Sequence, residues 1–182
     1  SLGTVKKTRL SDFSNPRKAG IIAVDLNEND FLVGAAITDG KHDVMLFSDA
    51  GKAVRFDEND VRPMGRTARG VRGMNLGEGH QVIAMLVAPA EAAEGAEAAV
   101  VEPNGIAIPS SVLTATENGY GKRTTITEYT RHGRGTKGMI AIQTTERNGK
   151  VVAAALVSPE DQIMLITTGG VLVRTRVSEI RE

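Results

Sequence analysis

An all-β fold built of propeller-like blades is predicted by three observations. One pattern recurs four times, at spacings of 48, 68 and 51 residues between Gly3, Gly51, Gly119 and Gly170. Each copy holds short runs rich in Val, Ile and Thr, and 20 glycines and 6 prolines punctuate the 182 residues, as expected of short strands joined by turns. Copies of that period with about four strands apiece are the mark of propeller blades.

The repeat opens on a hairpin. DVMLFSDAG, SVLTATENG and QIMLITTGG each place an apolar run of strand length before a turn, and glycine there supplies the positive φ of a tight connection. The second strand follows in LGTVKKTRLSDF, AGKAVRFDENDV, NGYGKRTTITEY and GGVLVRTRVSEI. Four positions past each glycine stands a cation: Lys7, Arg55, Arg123 or Arg174. Nine positions past stands a carboxylate, Asp12, Asp60, Glu128 or Glu179, followed by Phe13, Val61, Tyr129 or Ile180. Each carboxylate is expected to cap a turn or to pair with the cation of its own blade. The loops NPRKAG, RTARG and RGTKG come next, then IIAVDL, VRGMNL and MIAIQT as a third strand, and FLVGAAI, QVIAMLV and VVAAALV as a fourth. Residues 89–104, PAEAAEGAEAAVVEPN, read as a surface insertion that lengthens one repeat; a short helix over AEAAEGAEAA is weakened by Gly95. About three complete blades and part of a fourth result, which do not close an ordinary ring.

Composition excludes several classes of function. With no cysteine, disulfides, thiolate catalysis and cysteine-based zinc sites drop out, and a reducing compartment, the cytoplasm, is expected. No apolar run reaches the roughly 20 residues of a membrane span. SLGTVKKTRL has no signal-peptide core and no initiator Met, so a fragment of a longer protein is expected.

Charge is balanced in sum and polarised in place. Lys+Arg and Asp+Glu number 22 each, yet nine cations lie in or beside the second strands and nine more in the loops that follow. No carboxylate interrupts residues 13–24, 61–77 or 129–145. Equivalent loops of successive repeats share one side of the array, so three basic loops form one basic stripe. The candidate phosphate contacts are Arg17, Lys18, Arg62, Arg66, Arg69, Arg72, Lys122, Arg123, Arg131, Arg134 and Lys137. Loop glycines suit close approach of backbone to phosphate. Aromatic residues make up 3% of the chain, too few for stacking on single strands, so duplex DNA is the expected partner, gripped by backbone and selected by bendability.

No catalytic or metal site is expected. His42, His80 and His132 lack partners at metal-ligand spacing and read as surface residues. Ser110 and Ser111 have no nucleophile elbow, and GEGH is no phosphate loop.

GTVKKT, VMLFSDAGKAVRF, RGVRGMNLGEG, LTATENGYGKRT, TKGMIAI, TTERNGKVV and DQIMLITTGGVLVRTRVSEI resemble the C-terminal domain of the bacterial DNA gyrase A subunit, from about Gly3 to Glu179 apart from the insertion. The resemblance implies a β-pinwheel, in which blades of four strands exchange a strand with their neighbours. It implies a rim that bends and wraps duplex DNA within an enzyme of two A and two B subunits. ATP and Mg²⁺ are bound elsewhere in that enzyme and drive negative supercoiling. Cleavage there belongs to a tyrosine outside this domain, so Tyr120 and Tyr129 are not read as nucleophiles. RHGRGTKG at 131–138 is only a looser equivalent of the family's QRRGGKG box, and the chain corresponds to about the third blade through the start of the sixth. Two rivals stay open: the related domain of the topoisomerase IV A subunit, and a propeller that holds acidic proteins.

Overall fold

A computed structural model describes residues 1–90 and 111–182. The insertion expected at 89–104 lies outside the described residues apart from Pro89, which ends a strand, and Ala90; the helix considered there lies outside them from residue 91 on. The described strands are β1 (Thr4–Val5), β2 (His42–Ser48), β3 (Lys52–Asp57), β4 (Val71–Arg72), β5 (Val82–Pro89), β6 (Ser111–Thr116), β7 (Gly121–Thr125), β8 (Met139–Ile140), β9 (Val151–Val157), β10 (Gln162–Ile166) and β11 (Leu172–Arg176). All pairing between them is antiparallel.

The hairpins form where the turn residues predict them. β2 pairs with β3, β6 with β7 and β10 with β11, and Gly51, Gly119 and Gly170 all have positive φ. The fourth strand of a repeat adds to the outer side of its first: β5 beside β2, and β9 beside β6. Both pairings slip register at the same place in the repeat, Phe47/Ser48 and Ala115/Thr116. The third strand leaves its own repeat altogether. β8 pairs with β3 of the preceding repeat, and β4 pairs with β1 in the same way. The order β5-β2-β3-β8 therefore makes one blade from two repeats.

This exchange explains why IIAVDL and FLVGAAI, expected as strands, form none. Ile21–Ile22 corresponds to β4 and β8, which pair with the second strand of the repeat before. Residues 31–37 correspond to β5 and β9, which pair with the first strand of their own repeat; among the described residues no such strand lies beside them. Without those ladders the segment stays irregular, and Ile22, Phe31, Leu32 and Ile37 are exposed.

The core lies between blades, not inside one. Successive residues of a strand face opposite sides, and β2 uses both. Met45 and Phe47 join Ala53, Val112, Ile126, Tyr129 and Ala141 in a cluster shared with the next repeat, while Leu46 joins Val54, Phe56, Val61, Met74 and Val82 on the other side, with Val5 packed against them. A third, smaller cluster links Leu113, Val157 and Val177. Phe47 and Tyr129 meet edge to face, centroids 5.8 Å apart, a favoured aromatic geometry. In three of the repeats the residue after the carboxylate, Val61, Tyr129 or Ile180, packs against the blade before.

Gly51 shows why the repeat keeps glycine at its turn. Its carbonyl accepts the N–H groups of Ala141 (2.9 Å) and Ile142 (3.2 Å), as that of Gly3 accepts those of Gly73 (2.8 Å) and Met74 (3.0 Å). A Cβ on Gly51 would stand 2.1 Å from the Ile142 carbonyl oxygen, whereas one on Gly119 would meet nothing within 4 Å. Gly51→Ala is therefore expected to destabilise by more than about 2 kcal/mol, combining positive-φ strain with the clash, and Gly119→Ala by only about 1 kcal/mol; paired urea melts measure the difference.

A second device braces the same turn. Buried Asp49 accepts from the Gln81 N–H (3.1 Å) and lies 3.0 Å from His80 Nδ1 and 3.4 Å from Lys150 Nζ. Burial alone would raise its carboxyl, but the Gln81 N–H, His80 and Lys150 outweigh it and hold it below the ordinary value of 3.8. A carboxylate lowered on folding stabilises above its unfolded pKa, and that contribution is lost as pH falls through the folded one. Asp49→Asn should lower the melting temperature at neutral pH, with the gap to wild type narrowing once pH drops below 3.8.

Candidate nucleic-acid interface

The loops that carry the expected cations are tied to strands and to one another. Each follows a single 3-10 turn, Glu58–Asp60 or Ile126–Glu128, and docks on the preceding blade: the Met64 N–H donates to the Lys7 carbonyl (2.9 Å), and the His132 N–H to that of Arg55 (2.8 Å). The two loops also meet, through Gly135 N–H to Gly73 O (2.6 Å) and Asn75 N–H to Thr136 O (2.8 Å). Backbone geometry thus joins residues 62–75 and 131–138 in one surface.

Two equivalent arginines stitch the stripe. Arg66 Nη1 donates to the Ile22 carbonyl (2.9 Å) and Arg134 Nη1 to that of Arg72 (3.1 Å), the same position one repeat earlier. Arg134 Nε also donates to Asp60 O (3.0 Å). Lys6 adds a further stitch by donating to the carbonyls of Ala23 and Arg66; burial, then the charge of Arg66, pull it below the ordinary lysine value.

Arg17, Lys18, Arg62, Arg72 and Lys137 are exposed and make no side-chain hydrogen bond or ion pair among the described residues. They are uncommitted cations, Arg17, Lys18, Arg62 and Lys137 in the loops and Arg72 in β4. Arg69 is also exposed but faces Asp25 at 3.0 Å. Lys122 and Arg123 lie in β7 and not in the loops; Lys122 is exposed, while Arg123 is half-buried and reaches Glu182 (3.2 Å). Two of the loop glycines also serve strand exchange. A Cβ on Gly70 or Gly138 would stand 2.5 or 2.3 Å from the carbonyl oxygens of Val5 or Ala53, so these glycines admit the exchanged strand to the neighbouring blade.

The repeated cation faces the next blade, not its own carboxylate. Lys7 Nζ reaches Asn59 Oδ1 (3.2 Å) and Glu58 (3.9 Å), and Arg55 Nη1 donates to the carbonyls of Ile126 (3.0 Å) and Tyr129 (3.1 Å). The repeated carboxylates Asp12, Asp60, Glu128 and Glu179 sit within or at the end of the 3-10 turns. Arg55 instead pairs with Asp43, which is fully buried, through Nε at 2.7 Å. Arg131, from the basic loop of the next repeat, approaches the same carboxylate from the rim.

Sequence reasoning missed these partners. It left His42 and His80 as surface residues, yet both stand beside carboxylates. Asp39, His42 and Glu58 bring their ligand atoms within 4.8 Å of one another. Glu58 is already engaged, accepting from Thr38 Oγ1 (2.5 Å) and from the N–H groups of Gly40 (2.8 Å) and His42 (3.0 Å). The cluster therefore anchors a turn. Glu58 stands where the other repeats have Leu10, Ile126 or Val177, and that substitution in the pattern is the signal that could have flagged it.

A sequence model described as the DNA gyrase C-terminal domain, β-propeller, matches residues 1–39, 42–89, 110–158 and 161–182. The chain belongs to the DNA gyrase C-terminal domain family. The DNA gyrase A subunit of Klebsiella oxytoca is 53% identical over 178 residues, and that of Pseudomonas aeruginosa 51% over 180, matching 98% and 99% of the chain. The chain spans 18% of the length of each. Among solved structures, a DNA gyrase A C-terminal domain aligns with TM-score 0.79 and 29% identity, covering 100% of this chain and 55% of that one. The C-terminal domain of a DNA topoisomerase IV aligns with TM-score 0.82 and 26% identity, covering 98% of this chain and 51% of that one. The β-propeller description of the gyrase domain family agrees with the all-β blades. No helix among the described residues is long and apolar enough to cross a membrane.

Arg55 and Arg123 occupy the same position of this family's repeat in different surroundings. Truncating Arg55 strands the buried Asp43 carboxylate with only Arg131 beside it, so Arg55→Ala is expected to cost about 3 kcal/mol. Arg123→Ala, which removes a contact to exposed Glu182, should cost less than about 1 kcal/mol. Thermal unfolding of the two variants provides the comparison.

Proposed function

We propose that the chain binds and bends duplex DNA along the stripe formed by residues 17–22, 62–75 and 131–138, as the wrapping module of a DNA gyrase A subunit. The observation that carries this reading is the equivalence of Arg66 and Arg134, each bonded to the same carbonyl of the repeat before, so that cations recur at one position from blade to blade. A curved row of fixed cations suits a phosphate backbone and carries little base information. The sparse aromatic content favours duplex over single strands.

Supercoiling belongs, on this reading, to the whole enzyme in the cytoplasm. The B subunit supplies ATP hydrolysis with Mg²⁺, two A and two B subunits assemble, and this chain contributes the DNA path without catalytic residues of its own. The gyrase reading is preferred to topoisomerase IV because the sequence relatives at about half identity are gyrase A subunits, whereas the likeness to topoisomerase IV rests on 26% identity.

With about six phosphates contacted, duplex affinity should fall roughly 10³-fold between 50 and 200 mM salt. The triple substitution Arg62→Ala, Arg72→Ala, Lys137→Ala should lower the log–log salt slope by about three, and by the same amount on unrelated sequences. Fluorescence anisotropy reads both. A salt-independent affinity, or displacement of duplex by an acidic protein without loss of slope, would refute the duplex reading.

A further inference from the structure

Asp43 carries more cation than it can neutralise. Its carboxylate is fully buried at the start of β2, with Arg55, 2% exposed, donating through Nε to Oδ2 at 2.7 Å and bringing Nη2 to 2.6 Å. Arg131 comes from the rim, donating through Nε to the same oxygen at 3.2 Å with Nη2 2.8 Å from Oδ1. The two Nη2 approaches fall outside hydrogen-bond angles and act as charge contacts. Asp57, half-buried, lies 3.8 Å from Arg131 Nη1, beyond hydrogen-bond reach, and offsets the outward charge only in part. The pair Asp43–Arg55 is self-neutral, so Arg131 is the excess cation. It commits one edge to Asp43 and turns the rest outward, the side chain 38% exposed.

Resting on the duplex reading, we infer that Asp43 is a positioning residue for the DNA-binding rim: it holds the Arg131 guanidinium from beneath so that the outer edge meets a phosphate already oriented. Arg62, Arg72 and Lys137, with no side-chain partner among the described residues, lose rotamer freedom on binding, whereas Arg131 has already lost it. The arrangement belongs to this seam alone among the described repeats. Where the second repeat has Asp43, the third has Ser111, and Pro63 stands one repeat before Arg131. The carboxylate-seated cation therefore marks one point on the path, while Arg62, Arg72 and Lys137 adapt.

Duplex affinity and its salt slope, measured by anisotropy on variants first shown to be folded by thermal unfolding, separate positioning from simple charge. Arg131→Ala should lower affinity about tenfold and the slope by about 0.9. Arg131→Lys keeps the charge and the slope but loses the two-point seat, and should bind several-fold more weakly. Removing a carboxylate from a DNA-binding face should by electrostatics alone tighten binding; Asp43→Asn is expected instead to weaken it several-fold, with no further loss when combined with Arg131→Lys. Tighter binding by Asp43→Asn, wild-type affinity of Arg131→Lys, or an unchanged slope in Arg131→Ala would each overturn the assignment. Should Asp43→Asn not fold, the two Arg131 variants decide. Wild-type binding by the Arg62→Ala, Arg72→Ala, Lys137→Ala variant as well would identify the duplex reading itself as the failure.

Discussion

The buried fork of Arg55 is the contact around which the middle of the molecule is arranged. One side chain joins Asp43 on its own blade to the carbonyls of Ile126 and Tyr129 on the next. The apolar seam beside it, with Met45, Phe47, Val112 and Ile126, is non-directional and would tolerate sliding. A guanidinium with donors in a fixed plane does not, because displacement leaves buried charge and buried carbonyls unsatisfied. Compared with an apolar replacement such a pair adds little net stability. Its effect is to fix the rotation of one blade on another.

Strand exchange converts that local register into continuity along the chain. β4 and β8 are only two residues long, yet each commits a loop of its own repeat to the sheet of the one before. The basic loops are bounded by these exchanged strands on one side and by 3-10 turns on the other. Both ends of each loop are thus referenced to the preceding blade, and the spacing of cations along the rim follows from blade stacking. Repeat arrays transmit order between nearest neighbours; here the neighbour contact and the candidate DNA-binding loop are made by the same residues.

Much of this was legible in one dimension. The hairpins follow from the residues before Gly51, Gly119 and Gly170, and the apolar position after the repeated carboxylate foretold a buried one in Val61 and Tyr129. The runs DVMLFS and KAVRF are apolar on both faces because both are covered, which their lack of strict alternation already implied. Three readings needed the tertiary structure. The repeated carboxylates, read as turn caps or as partners of their own blade's cation, lie in the 3-10 turns, while Lys7 and Arg55 reach to the next blade. The loop glycines were read as suiting phosphate approach, and two of them, Gly70 and Gly138, also permit close packing of the exchanged strands. The loops read as free of carboxylates, but Asp25 and Asp43, distant in sequence, reach Arg69 and Arg131 in space.

The sequence by itself determined the repeat, the hairpin strands, the turns and the segments in which cations collect, because these depend on spacing and on local backbone preference. Tertiary structure decided which cations are left over. Whether an arginine is tied to a carbonyl, as Arg66 and Arg134 are, seated on a buried carboxylate, as Arg131 is, or left to solvent, as Arg62 and Arg72 are, depends on groups supplied by other repeats. Coulombic and hydrogen-bond partners act over a few ångströms of space, and a one-dimensional pattern carries no record of that distance.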